Sequence, residues 1–152
     1  MSDNLKPPSD AASPKTVAQV LGEVTWLLTQ SPSHRQLFIG DLEWLCMPAL
    51  LLEQFRMYNG DNSPAAVALW AFVSEDTESR LIAGATKLRP DEWRNGDRAW
   101  LIELVAPFGG EDRILADLAT TIFKGQPFKF HHLKDGVRAV TTIDPADLQT
   151  TH

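Results

Sequence analysis

The stretch from Arg98 to Ala106, RAWLIELVA, constrains this chain more than any other. It is a continuous apolar run with one carboxylate, Glu103, inside it, and it lies between the turn residues NGD and PFGG. Its length and flanks predict a strand buried at the centre of a sheet rather than a helix. The rest of the chain has to supply the layers that cover it.

Those layers are legible around it. Thr16 has the character of a helix N-cap. Val17, Val20, Leu21, Val24, Leu27 and Leu28 follow at helical spacing. Pro32 stops that helix by disfavouring helical geometry at Ser31. Pro48 interrupts the next apolar stretch, which predicts a loop or a short helix. EQFRMY, NGDNSP and AAVALWAFVS then read as strand, turn and strand. Ser74, with Glu75, Asp76 and Glu78, starts a capped acidic helix that ends near Gly84. EDRILADLATTIFKG is a further helix with Gly125 as its stop. PFKFHHLK and VRAVTTI form a hairpin around Asp135-Gly136. The order helix, two strands, helix, strand, helix, two strands predicts a single α/β (α+β) domain. Its sheet is mixed, mostly antiparallel and flanked by helices. Residues 1–15 are rich in Pro, Ser and Asp and read as a disordered tail. The folded domain is expected over residues 16–145, with a flexible tail at 146–152.

Composition excludes several classes. A length of 152 residues suits one domain with a real core. A net charge of -6 argues against non-specific nucleic-acid binding. One cysteine, Cys46, rules out an internal disulfide or a cysteine zinc site and reads as a small core residue. The start of the chain lacks a signal-peptide pattern, and no apolar run reaches bilayer length, so a cytoplasmic protein without a membrane span is expected. Between Arg113 and Arg138 the balance turns basic: Arg113, Lys124, Lys129, Lys134 and Arg138 against Asp117 and Asp135. That face suits an acidic partner, and a solvated mixed surface explains it equally well.

Four features bear on chemistry. His34, in SPSHR, stands alone among polar residues just past a helix end, where a positive charge is favoured. By itself it reads as a capping or surface histidine. No spaced set of ligands accompanies it, so no metal is expected. Glu103 either faces water or pairs with a histidine or arginine and orients it, since an unpaired buried carboxylate is costly. VAPFGGEDR presents backbone N–H groups at a helix start and suits an anion such as phosphate, although a Gly-Gly tight turn is also common there. His131 and His132 are adjacent on a strand, point to opposite faces and do not form one site. Ser33 lacks the Gly-x-Ser-x-Gly context of a hydrolase nucleophile.

Two longer blocks go further. VLGEVTWLLTQSPSHR (Val20–Arg35) and NGDRAWLIELVAPFGG (Asn95–Gly110), with the strand pair between them, closely resemble the RTX-toxin-activating lysine acyltransferases of the haemolysin-C type. The likeness extends over roughly Val20–Phe123. That resemblance implies a fold similar to GNAT-type N-acetyltransferases. It implies transfer of a fatty acyl group from acyl carrier protein to the side-chain amine of internal lysines on an RTX protoxin. The essential histidine of the family's SP-x-H-R motif falls on His34, and its acidic partner falls on Glu103, where the family carries aspartate. Ser33, Arg35, Pro107, Phe108, Gly109 and Gly110 become expected substrate-binding residues. No tightly bound cofactor is implied. The donor is the phosphopantetheine thioester of acyl carrier protein, which with the protoxin is the expected partner, and a homodimer is compatible. The region after APFGG is shorter than in the best-known members. Two other readings stand beside this one: a GNAT-like N-acyltransferase using acyl-CoA on another amine, and a non-catalytic binder or chaperone of the toxin.

Overall fold

A computed structural model describes residues 14–145. The two tails expected from the sequence fall outside that range except for Pro14 and Lys15, and Lys15 is ion-paired to Glu23 at 2.7 Å. Five strands form one sheet in the order β1-β2-β3-β4-β5. The packing divides into two compact units, residues 14–69 with Glu103–Gly110 and residues 70–102 with 111–145.

The first unit begins with α1, Val17–Gln30. The Thr16 hydroxyl accepts the Gln19 N–H at 3.1 Å while the Gln19 side chain accepts the Thr16 N–H at 2.8 Å, a capping box that satisfies two otherwise orphaned donors. Val20, Val24, Leu27 and Leu28 form the buried stripe. Ser31 is extended (φ -99°, ψ 117°), as a residue before proline should be, and the helix ends there. The stretch interrupted by Pro48 becomes two short helices, α2 (Leu42–Leu45) and α3 (Met47–Leu51), with proline in the first turn of the second. Cys46 joins them and is fully buried. Burial pushes its thiol up to about 11, which leaves it unreactive. β1 (Phe55–Asn59) and β2 (Pro64–Val73) pair antiparallel, Phe55 opposite Leu69 and Asn59 opposite Pro64. In β2 every residue from Ala66 to Leu69 is buried, so both faces of the strand are covered. β3 (Arg98–Val105) is the third of the five strands, the central position expected for it, and its last three residues belong to this unit.

The second unit holds α4 (Glu75–Ile82), α5 (Glu111–Thr121) and the hairpin β4 (Phe128–Lys134) and β5 (Val137–Ile143). Phe123 stacks on Phe128 at 4.3 Å and meets Trp70 and Phe72 edge-on, a preferred aromatic geometry. The Asp135-Gly136 turn has positive φ at both residues (54° and 79°), as a two-residue hairpin turn requires. β4 runs parallel to β3, with Lys129 opposite Trp100, and antiparallel to β5. The sheet is therefore mixed. α5 stops four residues before Gly125: the Phe123 N–H reaches back to Leu118, and Lys124 and Gly125 close the end at positive φ. Among the described residues no helix is long and apolar enough to cross a membrane.

The acidic start of α4 differs from a solvated face. Glu78 is buried, with Oε1 2.8 Å from Arg98 and Oε2 accepting the Trp100 indole N–H at 2.9 Å. Burial alone would raise its pKa. The hydrogen bonds from Arg98 and Trp100 and the charges of Lys129 and Arg98 outweigh that and hold it below the ordinary 4.5. A lowered folded-state pKa means the unfolded chain binds more protons. Glu78 therefore contributes stability that is complete above about 4.5 and lost as pH falls through its lowered value. Thermal midpoints measured from neutral pH down to acid should fall less steeply in Glu78→Gln than in the parent, from a lower starting point at neutral pH.

Candidate active site

The turn after α1 is built on one carbonyl. Ser31 C=O accepts the N–H groups of both His34 and Arg35 at 3.0 Å, which folds Pro32–Gln36 back on itself. His34 Nε2 lies 2.7 Å from Glu103 Oε1, although 69 residues separate them in the chain. Both belong to the first compact unit. The two side chains are 17% and 23% exposed, dry enough to strengthen the charge interaction and open enough for a ligand to reach. The ring's other nitrogen, Nδ1, lies 2.6 Å from Ser31 Oγ and 3.2 Å from Ser33 Oγ, and the two hydroxyls are 3.3 Å apart.

Proton inventory fixes the tautomer. An ionised carboxylate only accepts, so Nε2 carries the hydrogen it donates to Glu103. The neutral ring then has its lone pair on Nδ1, which accepts from Ser31 O–H. When the ring is protonated, Nδ1–H donates to Ser31 Oγ instead. Nδ1 is thus the basic nitrogen, and its approach is flanked by the two serines.

The expected site residues divide. His34, Glu103 and Ser33 converge. Arg35 is exposed and is tied to the turn by its backbone N–H, while its side chain joins no contact described at the pair. Pro107 is half-buried. Phe108 is exposed, with its ring 6.0 Å from that of Trp26. Gly109 and Gly110 both have φ 92°, a conformation side chains resist. The Gly109 N–H donates to the Ala106 carbonyl at 3.1 Å, so it is not among the donors left for an anion. His131 and His132 serve different partners, the Leu81 carbonyl and the Thr141 hydroxyl, as opposite-facing residues should. The sequence reading missed Ser31, which looked like a helix terminus only. The available signal was its place three residues before His34 in a proline turn.

The model of the RTX toxin acyltransferase family matches residues 13–144. The chain belongs to this family. Its match is longer than the two motif blocks and takes in the C-terminal hairpin. Among acyltransferases similar to it are the lysine-acyltransferase RtxC of Vibrio cholerae, 36% identical over 110 residues covering 70% of this chain and 71% of that one. The leukotoxin-activating lysine-acyltransferase LktC of a Pasteurella haemolytica-like species is 35% identical, covering 66% and 61%. The protein-lysine myristoyltransferase HlyC of Escherichia coli is 35% identical, covering 60% and 52%. This RTX toxin acyltransferase family member therefore spans between about half and seven-tenths of the length of these relatives.

Because Ser31 is 7% exposed and holds the basic nitrogen, its removal should act on the ring rather than on substrate binding. A single such hydrogen bond is worth about 1 kcal/mol. Ser31→Ala should lower kcat roughly fivefold and leave KM unchanged in steady-state acyl transfer.

Proposed function

We propose that this chain is a protein-lysine acyltransferase that moves a fatty acyl group from acyl carrier protein to internal lysines of an RTX protoxin in the cytoplasm. The observation that carries the reading is the His34–Glu103 pair, at 2.7 Å, in a chain of the RTX toxin acyltransferase family. A lysine amine has a pKa near 10.4, so only about one in 2,500 is a free nucleophile at pH 7. A positioned histidine is the natural base for it.

In this mechanism Nδ1 of His34 takes a proton from the target ammonium, directly or through the Ser31 and Ser33 hydroxyls. The amine attacks the thioester carbonyl. A C–N bond forms, the C–S bond breaks, and the departing thiolate takes the first proton from the imidazolium. The second proton, left on the acylated nitrogen, passes to the freed imidazole and on to solvent, so that an amide, a thiol and one released proton result. Glu103 holds the Nε2–H tautomer and stabilises the cationic ring. Both ring nitrogens already have partners, which favours the base role over an acyl-imidazole intermediate, and trapping with a slow donor should yield no acyl adduct on His34.

The donor distinguishes this reading from a GNAT-like enzyme. With a protoxin acceptor, acyl-carrier protein should support turnover and acyl-CoA of the same chain length should not. Efficient use of acyl-CoA alone would overturn the assignment of the donor. The basic residues of the second unit supply the docking charge for an acidic carrier. Lys129 is half-buried, 3.9 Å from Glu78, while Lys124 and Lys134 are exposed. Lys124→Glu with Lys134→Glu should raise KM for the carrier protein several-fold at low salt and leave kcat intact, as rim charges act mainly on association.

A further inference from the structure

The outward face of α1 carries a groove that the fold does not require. Lys15, Gln19, Gly22, Glu23 and Trp26 line it together with Pro64, and its volume is about 360 Å³. Gly22 sits in the interior of the helix, where glycine is the least favourable residue after proline. Nothing within 4 Å would obstruct a Cβ there, so packing does not demand the glycine. Its effect is to leave the helix surface bare. Trp26, one turn further on, is 38% exposed, and its ring lies 6.0 Å from Phe108, itself 45% exposed. Two neighbouring exposed aromatics beside an apolar notch mark a binding surface.

Through the Trp26–Phe108 ring contact the groove adjoins two segments that lead along the chain to the candidate active site. α1 runs directly into Ser31–His34, and Phe108 lies in the turn that follows the strand carrying Glu103. Most of its polar lining groups are already engaged. Lys15 Nζ holds both oxygens of Glu23 at 2.9 and 2.7 Å, and Gln19 Oε1 accepts the Thr16 N–H. What remains for a ligand is mainly apolar contact along a path of about 10 Å from Trp26 to Gln19 at the helical rise. A peptide would find few hydrogen-bond partners there, whereas a saturated chain needs none.

We infer that this groove binds the acyl chain of the donor. The thioester carbon lies at His34, and the chain passes over Phe108 and Trp26 and along Gly22 toward the Lys15–Glu23 pair. Gly22 and Trp26 are then determinants of chain-length specificity. The inference rests on the acyl-transfer reading above, so its test uses binding rather than turnover.

Isothermal titration of the full chain with butyl, octyl and tetradecyl thioethers of pantetheine, which cannot transfer, measures the effect of chain length alone. Affinity should rise with length, by up to about fourfold for each methylene fully buried. Gly22→Leu, a helix-favouring change at an exposed position, should remove that rise for the two longer probes and leave the butyl probe unaffected. Trp26→Ala should weaken the longer probes in the same direction. Gly22→Ala, with an unchanged thermal midpoint or a higher one, controls for folding. Equal affinity for all three probes in the parent, or the same chain-length dependence in Gly22→Leu, would overturn the inference. A parent that discriminates chain length but never acylates a lysine would instead overturn the acyl-transfer reading.

Discussion

His34→Ala should lower the rate of lysine acylation by at least about a hundredfold, the lower end of what a positioned general base contributes. The ring is the one group described at the site with a basic nitrogen, and Nδ1 is held by Ser31 at 2.6 Å. Alanine removes the proton acceptor and leaves Glu103 without the imidazole partner. Binding of donor and acceptor should survive, because neither depends on the ring, so the loss should fall on kcat. Single-turnover measurements with saturating acyl-carrier protein separate the two. A rate within a few-fold of the parent would show that the target amine loses its proton elsewhere. The thermal midpoint should change little, since His34 is partly exposed and lies in a turn outside the buried core.

Glu103→Gln should cost nearly as much, for a different reason. The carboxylate only accepts, and this keeps the hydrogen on Nε2 and the lone pair on Nδ1. A glutamine amide can donate to Nε2 instead, which moves the hydrogen to Nδ1 and turns the basic face away from the serines. It also withdraws the negative charge that supports the cationic ring. The corresponding neutral substitution in a serine-protease triad lowers kcat by about ten-thousandfold, and a loss between about a hundredfold and that figure is expected here. Glu103→Asp keeps the charge but shortens the reach by one methylene. A bridging water can restore part of the contact. The aspartate variant should therefore retain more activity than the glutamine variant. Equal losses in both would mean that the length of the side chain, not its charge, sets the geometry.

Local pattern carried much of the architecture. Thr16, Pro32, Asn59-Gly60, Ser74 and Asp135-Gly136 punctuate the chain through backbone rules that operate within a few residues, so α1, both hairpins and α4 are where the pattern puts them. The central position of β3 followed from a run too apolar to face water. Contacts between distant segments were legible only in part. The proximity of His34 and Glu103 was suggested by two unexplained polar residues and sharpened by resemblance to a family. No periodicity relates positions so far apart. Glu78 read only as one more acid of a capped helix start because its partners, Arg98 and Trp100, come from a strand about 20 residues later. Ser31 was hidden by its other role, as the extended residue that a following proline requires. Trp26 lay off the buried stripe of α1, and only the notch at Gly22 and the ring of Phe108 give that exposed aromatic a context.

Co-expression of a candidate RTX protoxin and acyl carrier protein with this chain, followed by intact-mass analysis of the protoxin, tests the central claim most directly. The account predicts a mass increase of one fatty acyl group for each modified lysine with the parent chain. It predicts no increase with His34→Ala, although that variant accumulates to the same level. An unmodified protoxin with the parent chain, or full modification with His34→Ala, would contradict it.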